Sequence, residues 1–380
     1  MAKAIRIAVF LHHLKFTAHP LYSDMVTHFT TIPKDCPELG IEVPVSAIDQ
    51  ELRKLWEQDE ARTNASLMNL VIYSEKPGAL IENSEIIREL TRDHACRAIL
   101  VAIDRTDPEP GLRAWITAHC HLADGRKSVC CEQIAFHLTG RVTGRFRNTV
   151  FAHLNSDLPL VFWWQGELSE ILTESLVRVI DRLIIDSSSW ADPAASFSLI
   201  EDVSHSNPDL TIQDHAWTRS WQFRVGIASL FDDPVAQDAL PQITSVEIIH
   251  HPDHRNTALQ ILAWLAVQAG WNDLSPTSPF PFGFQSSHGD EIKVSLHANP
   301  TSPPLSAVII RAGTTTVQVT QKSGASHVER QLESGAYKAT SLSPCDPSTP
   351  VGLVAAQLAR GGKNSLYQKI LPRFRAMLDR

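Results

Sequence analysis

The chain has 380 residues, 43% of them hydrophobic and 20% charged, with a mean hydropathy of −0.10. This length exceeds one typical hydrophobic core and predicts two domains. The formal net charge of −8 argues against nucleic-acid binding, and no apolar run approaches the roughly 18–20 residues that span a bilayer, so we expect a cytoplasmic protein.

The first half of the chain predicts an irregular arm over residues 1–45, followed by an α/β domain over residues 46–205. Strand-like and helical patterns alternate there, with one antiparallel insertion, which is typical of a mixed sheet with flanking helices. The predicted strands are Leu67–Tyr73, Arg97–Ile103, Leu158–Trp163 and Leu183–Asp186. The predicted helices are Asp49–Glu60, Ile81–Asp93, Arg145–Asn155 and Leu168–Arg182.

The antiparallel insertion is a hairpin, Leu112–Leu122 and Ser128–Leu138, around a two-residue turn at Asp124–Gly125. This turn places Cys120 opposite Val129 and diagonal to Cys131, whereas one bulge residue would place it opposite Cys130. Either arrangement brings two thiols near disulfide distance. Cys120, Cys130 and Cys131 are therefore redox candidates, although reduced core cysteines are the more ordinary interpretation in a cytoplasmic protein.

The second half, residues 206–380, predicts a smaller α+β domain with an antiparallel meander. Two helices, Trp217–Phe231 and Thr257–Ala269, flank a strand at Ile243–Ile249. Turn residues then separate successive short strands, which indicates a meander. The meander strands are Glu291–His297, Leu305–Arg311, Thr314–Gln321 and Ser326–Leu332, and the closing helices are Val351–Arg360 and Ser365–Leu378.

Motifs of known catalytic chemistry are missing from the sequence, so we expect no catalytic residues and no cofactor. A glycine-rich dinucleotide loop, a zinc-protease motif and a nucleophile elbow are all absent. Gly361–Lys363 follows a predicted helix and lacks the other residues of a phosphate loop. His119 and His121 share one face of the hairpin, but Cys130 and Cys131 point to opposite faces, so we predict no metal site.

The aromatic and arginine residues favour interaction over catalysis. On the strand that contains Trp163 and Trp164, neighbouring side chains point to opposite faces, which predicts one buried indole and one outward indole beside Glu167. Trp217 and Trp221 are four residues apart on a predicted helix that also carries Arg219, and Arg224 is placed to stack on Trp221. Because tryptophan and arginine dominate binding hot spots, these seven residues are partner-binding candidates.

Several segments, in order, resemble the glucose-6-phosphate dehydrogenase assembly protein (OpcA) family. The resemblance covers most of the chain and is weakest before residue 45 and over residues 275–345. The segments are ARTNASLMNLVIYS (61–74), HACRAILVAID (94–104), AWITAHC (114–120), SVCCEQI (128–134), SDLPLVFWWQGEL (156–168), DRLIIDSSSWADP (181–193), DLTIQDHAWTRSWQFRVGIASLFD (209–232) and LAWLAVQAGW (262–271).

This resemblance implies a protein that is not an enzyme. Members of the family bind glucose-6-phosphate dehydrogenase, promote its oligomeric assembly and activate it in the oxidative pentose phosphate pathway. In photosynthetic relatives the pair is linked to thioredoxin, which makes thioredoxin a further possible partner. The alternative, from another class of function, is a sugar-phosphate-binding enzyme whose site is assembled from scattered residues.

Overall fold

The computed structural model describes residues 36–57, 62–64, 66–123, 127–140, 143–273, 282–360 and 365–378. Most of the predicted arm, the Asp124–Gly125 turn and the Gly361–Lys363 segment lie outside these ranges. Two sheets carry the fold, with nine and eight strands, so the predicted mixed α/β class with a second, α+β part is confirmed. No helix within the described ranges is long and apolar enough to cross a membrane.

The first sheet contains nine strands. They are β1 Ile41–Val43, β2 Arg62–Asn64, β3 Asn69–Ser74, β4 Arg97–Asp104, β5 Gly111–Ala123, β6 Lys127–Thr139, β7 Leu160–Gln165, β8 Arg182–Ile185 and β9 Thr211–Asp214. The sheet therefore begins inside the predicted arm and extends beyond residue 205. The division of the chain into domains at residue 205 stays a prediction.

The order of the central strands is β6-β4-β3-β7-β8-β9, and all of these neighbours are parallel. The chain thus builds outward in one direction from β3 and then returns to the other side of β3 with β7. This is the order of a doubly wound, dinucleotide-binding fold, in which ligands bind where the direction reverses. The reversal point is the crevice beyond the carboxyl ends of β3 and β7.

The second sheet contains eight strands in the order β11-β12-β13-β10-β14-β15-β16-β17, and only the β10–β13 pair is parallel. The run from β14 to β17 is antiparallel, as predicted for the meander, and has an additional last strand. The first predicted meander strand, β13, is wrongly placed, because it pairs with β10 and β12 and not with β14. The strands are β10 Ile243–His250, β11 Asn272–Asp273, β12 Gly283–Gln285, β13 Glu291–Ala298, β14 Leu305–Ala312, β15 Thr315–Thr320, β16 His327–Ser334 and β17 Tyr337–Pro344.

Eleven α-helices lie within the described ranges. They are α1 Ile48–Glu57, α2 Ala79–Leu90, α3 Thr143–Phe151, α4 Glu174–Val177, α5 Pro193–Ser204, α6 His215–Thr218, α7 Trp221–Phe231, α8 Pro234–Ala239, α9 Arg255–Gln268, α10 Pro350–Leu358 and α11 Ser365–Arg375.

The helix predicted over Leu168–Arg182 is wrong, because only the four residues of α4 are helical. The hydroxyl of Thr173 accepts a hydrogen bond from the Leu176 amide and so starts the helix there.

Both faces of the first sheet are covered. Val71, Tyr73 and Trp164 belong to a core cluster that continues into the second sheet, whereas Ile72 and Trp163 belong to a separate cluster on the opposite face. Alternate residues of one strand therefore enter different cores, as the two-residue period of a strand requires. A parallel sheet covered on both faces explains why β3, β4 and β7 are almost continuously apolar.

Candidate functional site

A cavity of about 530 Å³ occupies the crevice beyond the ends of β3 and β7. We call it the switch-point cavity. Its walls come from the β3–α2 turn, the end of β7 and the residues that follow β8 and β9, with α10 closing one side. The lining includes Glu75, Lys76, Glu82, Asn83, Trp163, Gln165, Glu167, Asp186, Ser189, His215 and Arg219. The fold thus places a polar cavity where doubly wound proteins bind their ligands.

The β3–α2 turn lacks the features that hold a dinucleotide. A pyrophosphate needs a glycine-rich turn that lets it approach the helix N-terminus, but only Gly78, with φ of 77°, serves this turn. Glu82 lies in the first turn of α2 and pairs with Lys76 at 3.2 Å. Glu75 pairs with Arg105 at 2.9 Å. The chain's own carboxylates therefore lie where phosphates would bind, and they would repel them.

An ion pair between Asp186 and Arg219 forms one wall of the cavity. The guanidinium donates to both carboxylate oxygens, at 2.8 and 2.6 Å, a bidentate geometry that strengthens the contact. Although burial opposes ionisation, the bonds and charge of Arg219 hold the pKa of Asp186 well below its usual range. Asp186 follows β8 and Arg219 follows α6, so the pair ties together the ends of two adjacent strands.

Two histidines flank this ion pair, and His215 is the more deeply buried of them. His215 lies with its Nδ1 3.8 Å from a carboxylate oxygen of Asp186. His254 precedes α9, and its Nδ1 is buried without a hydrogen-bond partner. Burial lowers the pKa of each to about 4, and the charge of Arg219 acts in the same direction. Both imidazoles are therefore neutral at pH 7 and offer hydrogen bonds without charge.

A second carboxylate, Asp214, is buried directly behind the cavity wall. It accepts hydrogen bonds from the Ser187 amide and hydroxyl, the Ala216 amide, Gln260 and Tyr367, at 2.6–3.1 Å. Burial raises the pKa of Asp214, and the bonds from Ser187 and Gln260 oppose that rise. Because Gln260 lies on α9 and Tyr367 on α11, this network fastens the wall to the second half of the chain.

A second cavity, of about 700 Å³, lies on the other side of the Asp186–Ser189 segment. It is lined by that segment, by Trp190 and by Asp253–Asn256, which follow β10. The Trp190 Nε1 donates to the Gly166 carbonyl at 2.9 Å, so its ring is fixed against the loop that borders the switch-point cavity. The two cavities share Asp186 and Ser189 and form adjoining parts of one cleft.

The structure corrects the prediction for the tryptophan pair. Trp163 and Trp164 are 3% and 1% exposed, so neither faces outward, because both faces of the parallel sheet are covered. The Trp164 Nε1 donates to the Glu167 carbonyl at 2.8 Å. Glu167 itself is exposed, and its side chain accepts from the Ala191 amide at 2.6 Å. All three residues line the switch-point cavity, and neither indole is an outward surface anchor.

The predicted helix that contains Trp217 and Trp221 is divided into α6 and α7, with Ser220 as the N-cap residue of α7. Trp217 is buried, whereas Trp221 is 40% exposed. The predicted contact of Arg224 with Trp221 is present, but Trp217 is the closer partner. The Arg224 guanidinium lies 3.3 Å from the Trp217 ring centroid and 5.8 Å from that of Trp221.

Trp221 also contacts a second arginine, Arg360. The Arg360 guanidinium lies 4.2 Å from its ring centroid, and Val225, one turn further along α7, is 37% exposed. We call Trp221, Val225 and Arg360 the Trp221 patch. Arg219, the remaining residue of the predicted set, belongs to the cavity wall. The partner-binding candidates therefore divide between two places, the cleft and this patch.

Among the redox candidates, Cys120 and Cys130 form a disulfide with their Cα atoms 4.0 Å apart. They are directly opposite each other because Ala123 pairs with Lys127, which leaves three residues between the strands instead of the expected two. The alternative with Cys120 opposite Val129 is therefore wrong. Cys131 is buried and not part of this disulfide, and it lies near Cys96.

The hairpin histidines have hydrogen-bond partners in the protein. His119 contacts Gln133 at 2.9 Å and His121 contacts Thr91 at 3.0 Å. The described part of the chain contains no group of three or more histidine, cysteine or acidic side chains arranged to hold a metal ion.

Sequence reasoning missed the residues that build the cleft, above all Asp186, His215 and His254. A signal was present, because Asp186 follows the short strand β8 and Asp214 is the last residue of β9, and parallel strands end at one edge of the sheet. The strand β9 was not predicted, so the second of these positions went unrecognised.

Solved structures of several oxidoreductases are similar in fold. The aldose–aldose oxidoreductase of Caulobacter crescentus is 11% identical with a TM-score of 0.44, and the match covers 83% of this chain and 97% of that one. The dehydrogenase MviM of Clostridium difficile is 10% identical with a TM-score of 0.43, covering 82% and 99%.

Sequence comparison is more specific. The putative OxPP cycle protein OpcA of Synechococcus elongatus is 22% identical over 315 residues, which cover 77% of this chain and 69% of that protein. Family models described as the glucose-6-phosphate dehydrogenase subunit N-terminal and C-terminal domains match residues 87–202 and 210–371. Because the two models match in order and together span most of the sequence, the chain belongs to the OpcA family of glucose-6-phosphate dehydrogenase assembly proteins.

Proposed function

We propose that this protein is a non-catalytic assembly factor that binds glucose-6-phosphate dehydrogenase, promotes its oligomerisation and activates it allosterically. Its place would be the cytoplasmic oxidative pentose phosphate pathway. Family membership supports the partner, since the matching models describe subunits of that dehydrogenase. The proposal that it is not an enzyme rests on the β3–α2 turn. There, Glu75 and Glu82 lie where a redox enzyme of this fold would bind the phosphates of its cofactor.

The Trp221 patch is the contact surface that we propose. Its exposed indole, held under the Arg360 guanidinium, combines the two residue types most enriched at binding hot spots. Trp217 and Arg224 are buried immediately behind it and stack on each other. This support fixes the position of Trp221, so the indole loses little side-chain entropy when a partner covers it.

The patch is tested by measuring the affinity of the dehydrogenase for the Trp221→Ala protein. Loss of a hot spot worth about 2 kcal/mol weakens binding by about 30-fold. Leu342→Ala is the matched control, because Leu342 is 58% exposed but lies on the face of the second sheet that points away from α7. The neighbouring position Ser341 pairs with Arg330, whose guanidinium reaches Ser229 on α7, and successive strand residues alternate faces.

Weakening by Trp221→Ala with unchanged affinity for Leu342→Ala supports the patch as the contact surface. Equal affinities for both variants and the unmodified protein contradict it. Circular dichroism melting of each variant checks that folding is retained.

The sugar-phosphate-binding enzyme remains the second candidate, because the cleft is large and contains an ion pair flanked by histidines. Four carboxylates and only two cations line the switch-point cavity, and this balance opposes phosphate binding. The two candidates are separated by assaying the purified protein alone for turnover of glucose 6-phosphate with NADP⁺. Turnover by the protein alone contradicts the non-catalytic proposal.

A further inference from the structure

The cleft on either side of Asp186–Ser189 has the dimensions of a small-molecule site. Its two parts have volumes of about 530 and 700 Å³, within the range of about 300–1,000 Å³ that ligand sites occupy. The fold positions both parts at the carboxyl ends of parallel strands, and the Asp214 network fixes the wall between them. This rigidity lowers the entropic cost of binding.

The charges in the switch-point cavity disfavour an anionic ligand. The carboxylates of the switch-point cavity outnumber its cations by four to two, so a phosphate or dinucleotide is repelled. A cationic ligand gains little, because each carboxylate already has a partner. Glu82 pairs with Lys76, Asp186 with Arg219 and Glu75 with Arg105, and Glu167 accepts from the Ala191 amide.

These same carboxylates retain acceptor capacity, since an ionised carboxylate has about four lone-pair sites. The lining also includes the neutral rings of His254 and His215. Ligand hydroxyl groups fit such a lining, because each can donate to an acceptor without bringing charge into it.

Two largely buried indoles lie in the walls. Trp163 lines the switch-point cavity and Trp190 lines the second cavity. Both indoles are held in place, Trp163 by packing against the His215 ring at 5.5 Å between centroids and Trp190 by its bond to Gly166. Indole rings beside hydrogen-bond acceptors suit a molecule with C–H faces and O–H edges.

We propose that this cleft binds a neutral polyhydroxylated molecule, a free sugar or a cyclitol. The site does not depend on the proposed function, because its occupancy is measured on the protein without the dehydrogenase. If the cleft binds no such molecule, the assembly proposal is unaffected. If the assembly proposal is wrong, the proposed binding site is unaffected.

The test is thermal unfolding and isothermal titration calorimetry of the full chain with D-glucose, myo-inositol, NADP⁺, glucose 6-phosphate and spermidine. We expect at least one of the two neutral compounds to bind with one-to-one stoichiometry and to raise Tm by about 3 °C near saturation. The charged compounds should produce no shift at the same concentration. The proposal is overturned if spermidine, NADP⁺ or glucose 6-phosphate binds in preference to both neutral compounds. It is also overturned if neither neutral compound binds at concentrations up to about 50 mM.

Two variants assign the binding to the cleft. Ser189 is exposed and lies at the rim of both cavities, so Ser189→Trp fills the entrance without disturbing the core, and it should abolish the shift. Ser295→Trp, at an exposed position on β13, is the matched control and should retain it. Glu167→Gln keeps the acceptor for Ala191 but removes a charge, and should weaken binding at least threefold. If neither lining variant changes the affinity, the ligand binds elsewhere and the assignment is wrong.

Discussion

The guanidinium of Arg219 donates to both oxygens of Asp186, a residue 33 positions earlier in the chain, at 2.8 and 2.6 Å. The two side chains are only 11% and 24% exposed. Their contact joins the end of β8 to the residue after α6 and separates the two parts of the cleft. The pair therefore has a structural role that can be measured without any ligand.

We predict that Arg219→Gln lowers the free energy of unfolding by about 3 kcal/mol, because it leaves the Asp186 carboxylate without its charged partner in a mostly buried position. Urea unfolding measures this change. Arg178→Gln, at an exposed position, is the control and should alter stability by less than about 0.5 kcal/mol. If Arg219→Gln lowers the free energy of unfolding by less than about 1 kcal/mol, solvent stabilises the Asp186 carboxylate in place of Arg219.

His215 and His254 predict that the free energy of unfolding depends on pH. Burial is the main cause that holds the pKa of His215 and His254 at about 4, and for His254 the charge of Arg219 is the second cause. An unfolded histidine has a pKa of about 6.5. Between these values the unfolded chain binds more protons, so stability falls as pH falls. Each histidine contributes a slope of up to about 1.4 kcal/mol per pH unit there and nothing above pH 7.

Unfolding free energies measured from pH 7.5 to pH 4.5 test this dependence. His254→Asn should reduce the slope below pH 6.5, whereas His205→Asn removes an exposed histidine and should leave it unchanged. A slope that is the same in all three proteins would mean that His254 is not neutral in the folded state at these pH values.

The tryptophan pair gives a contrast between core and surface. Trp163→Ala and Trp164→Ala should each lower the free energy of unfolding by about 3–5 kcal/mol, because each empties a fully buried site. Trp221→Ala, at a 40% exposed position, should cost less than about 1.5 kcal/mol. Chemical unfolding of the three variants decides this, and a small loss at Trp163 would identify it as part of an open ligand surface.

The disulfide predicts a redox-dependent stability. Cys120 and Cys130 are separated by ten positions, and closing a loop of this length stabilises by about 2–3 kcal/mol on the loop-entropy model. Reduction should therefore lower the free energy of unfolding by that amount. Since Cys120 is exposed, we propose that thioredoxin can reach the bond from that side.

Cys120→Ser should remove the difference between the oxidised and reduced proteins. Cys131→Ser, which changes a buried cysteine outside the disulfide, should preserve it. Differential thiol labelling with mass spectrometry should recover a bridged peptide that contains Cys120 and Cys130. Absence of that peptide after oxidation would identify the cysteines as reduced core residues.

Sequence patterns predicted β3, β4, β7 and β8 of the first sheet well, because buried parallel strands are continuous apolar runs. The same reasoning could have corrected the tryptophan prediction. The run before Gln165, from Leu160 to Trp164, is entirely apolar, and such a run indicates burial on both faces. The expectation of an outward indole applied the alternation of a half-exposed strand to a strand that is covered on both sides.

The rest of the site depends on contacts between distant positions. Asp186 was recognised as a strand end, but its pairing with Arg219 follows from the placement of β9 beside β8, and β9 has only four residues. The polar strand β17 was not predicted because it lacks the alternation of a half-buried strand. Of the two registers left open for Cys120, the one opposite Cys130 is correct, because one additional residue between the strands shifts every pair.

The central claim is tested most directly by titrating the cognate glucose-6-phosphate dehydrogenase with this protein and measuring kcat/KM, with size-exclusion chromatography of the same mixtures, under reducing and oxidising conditions. An activator must bind the active form of the enzyme more tightly, and a coupling free energy of 1–3 kcal/mol gives an increase of about 5–150-fold. We predict a saturable increase and co-elution as a larger assembly. Unchanged kinetics without co-elution under both conditions would contradict the account.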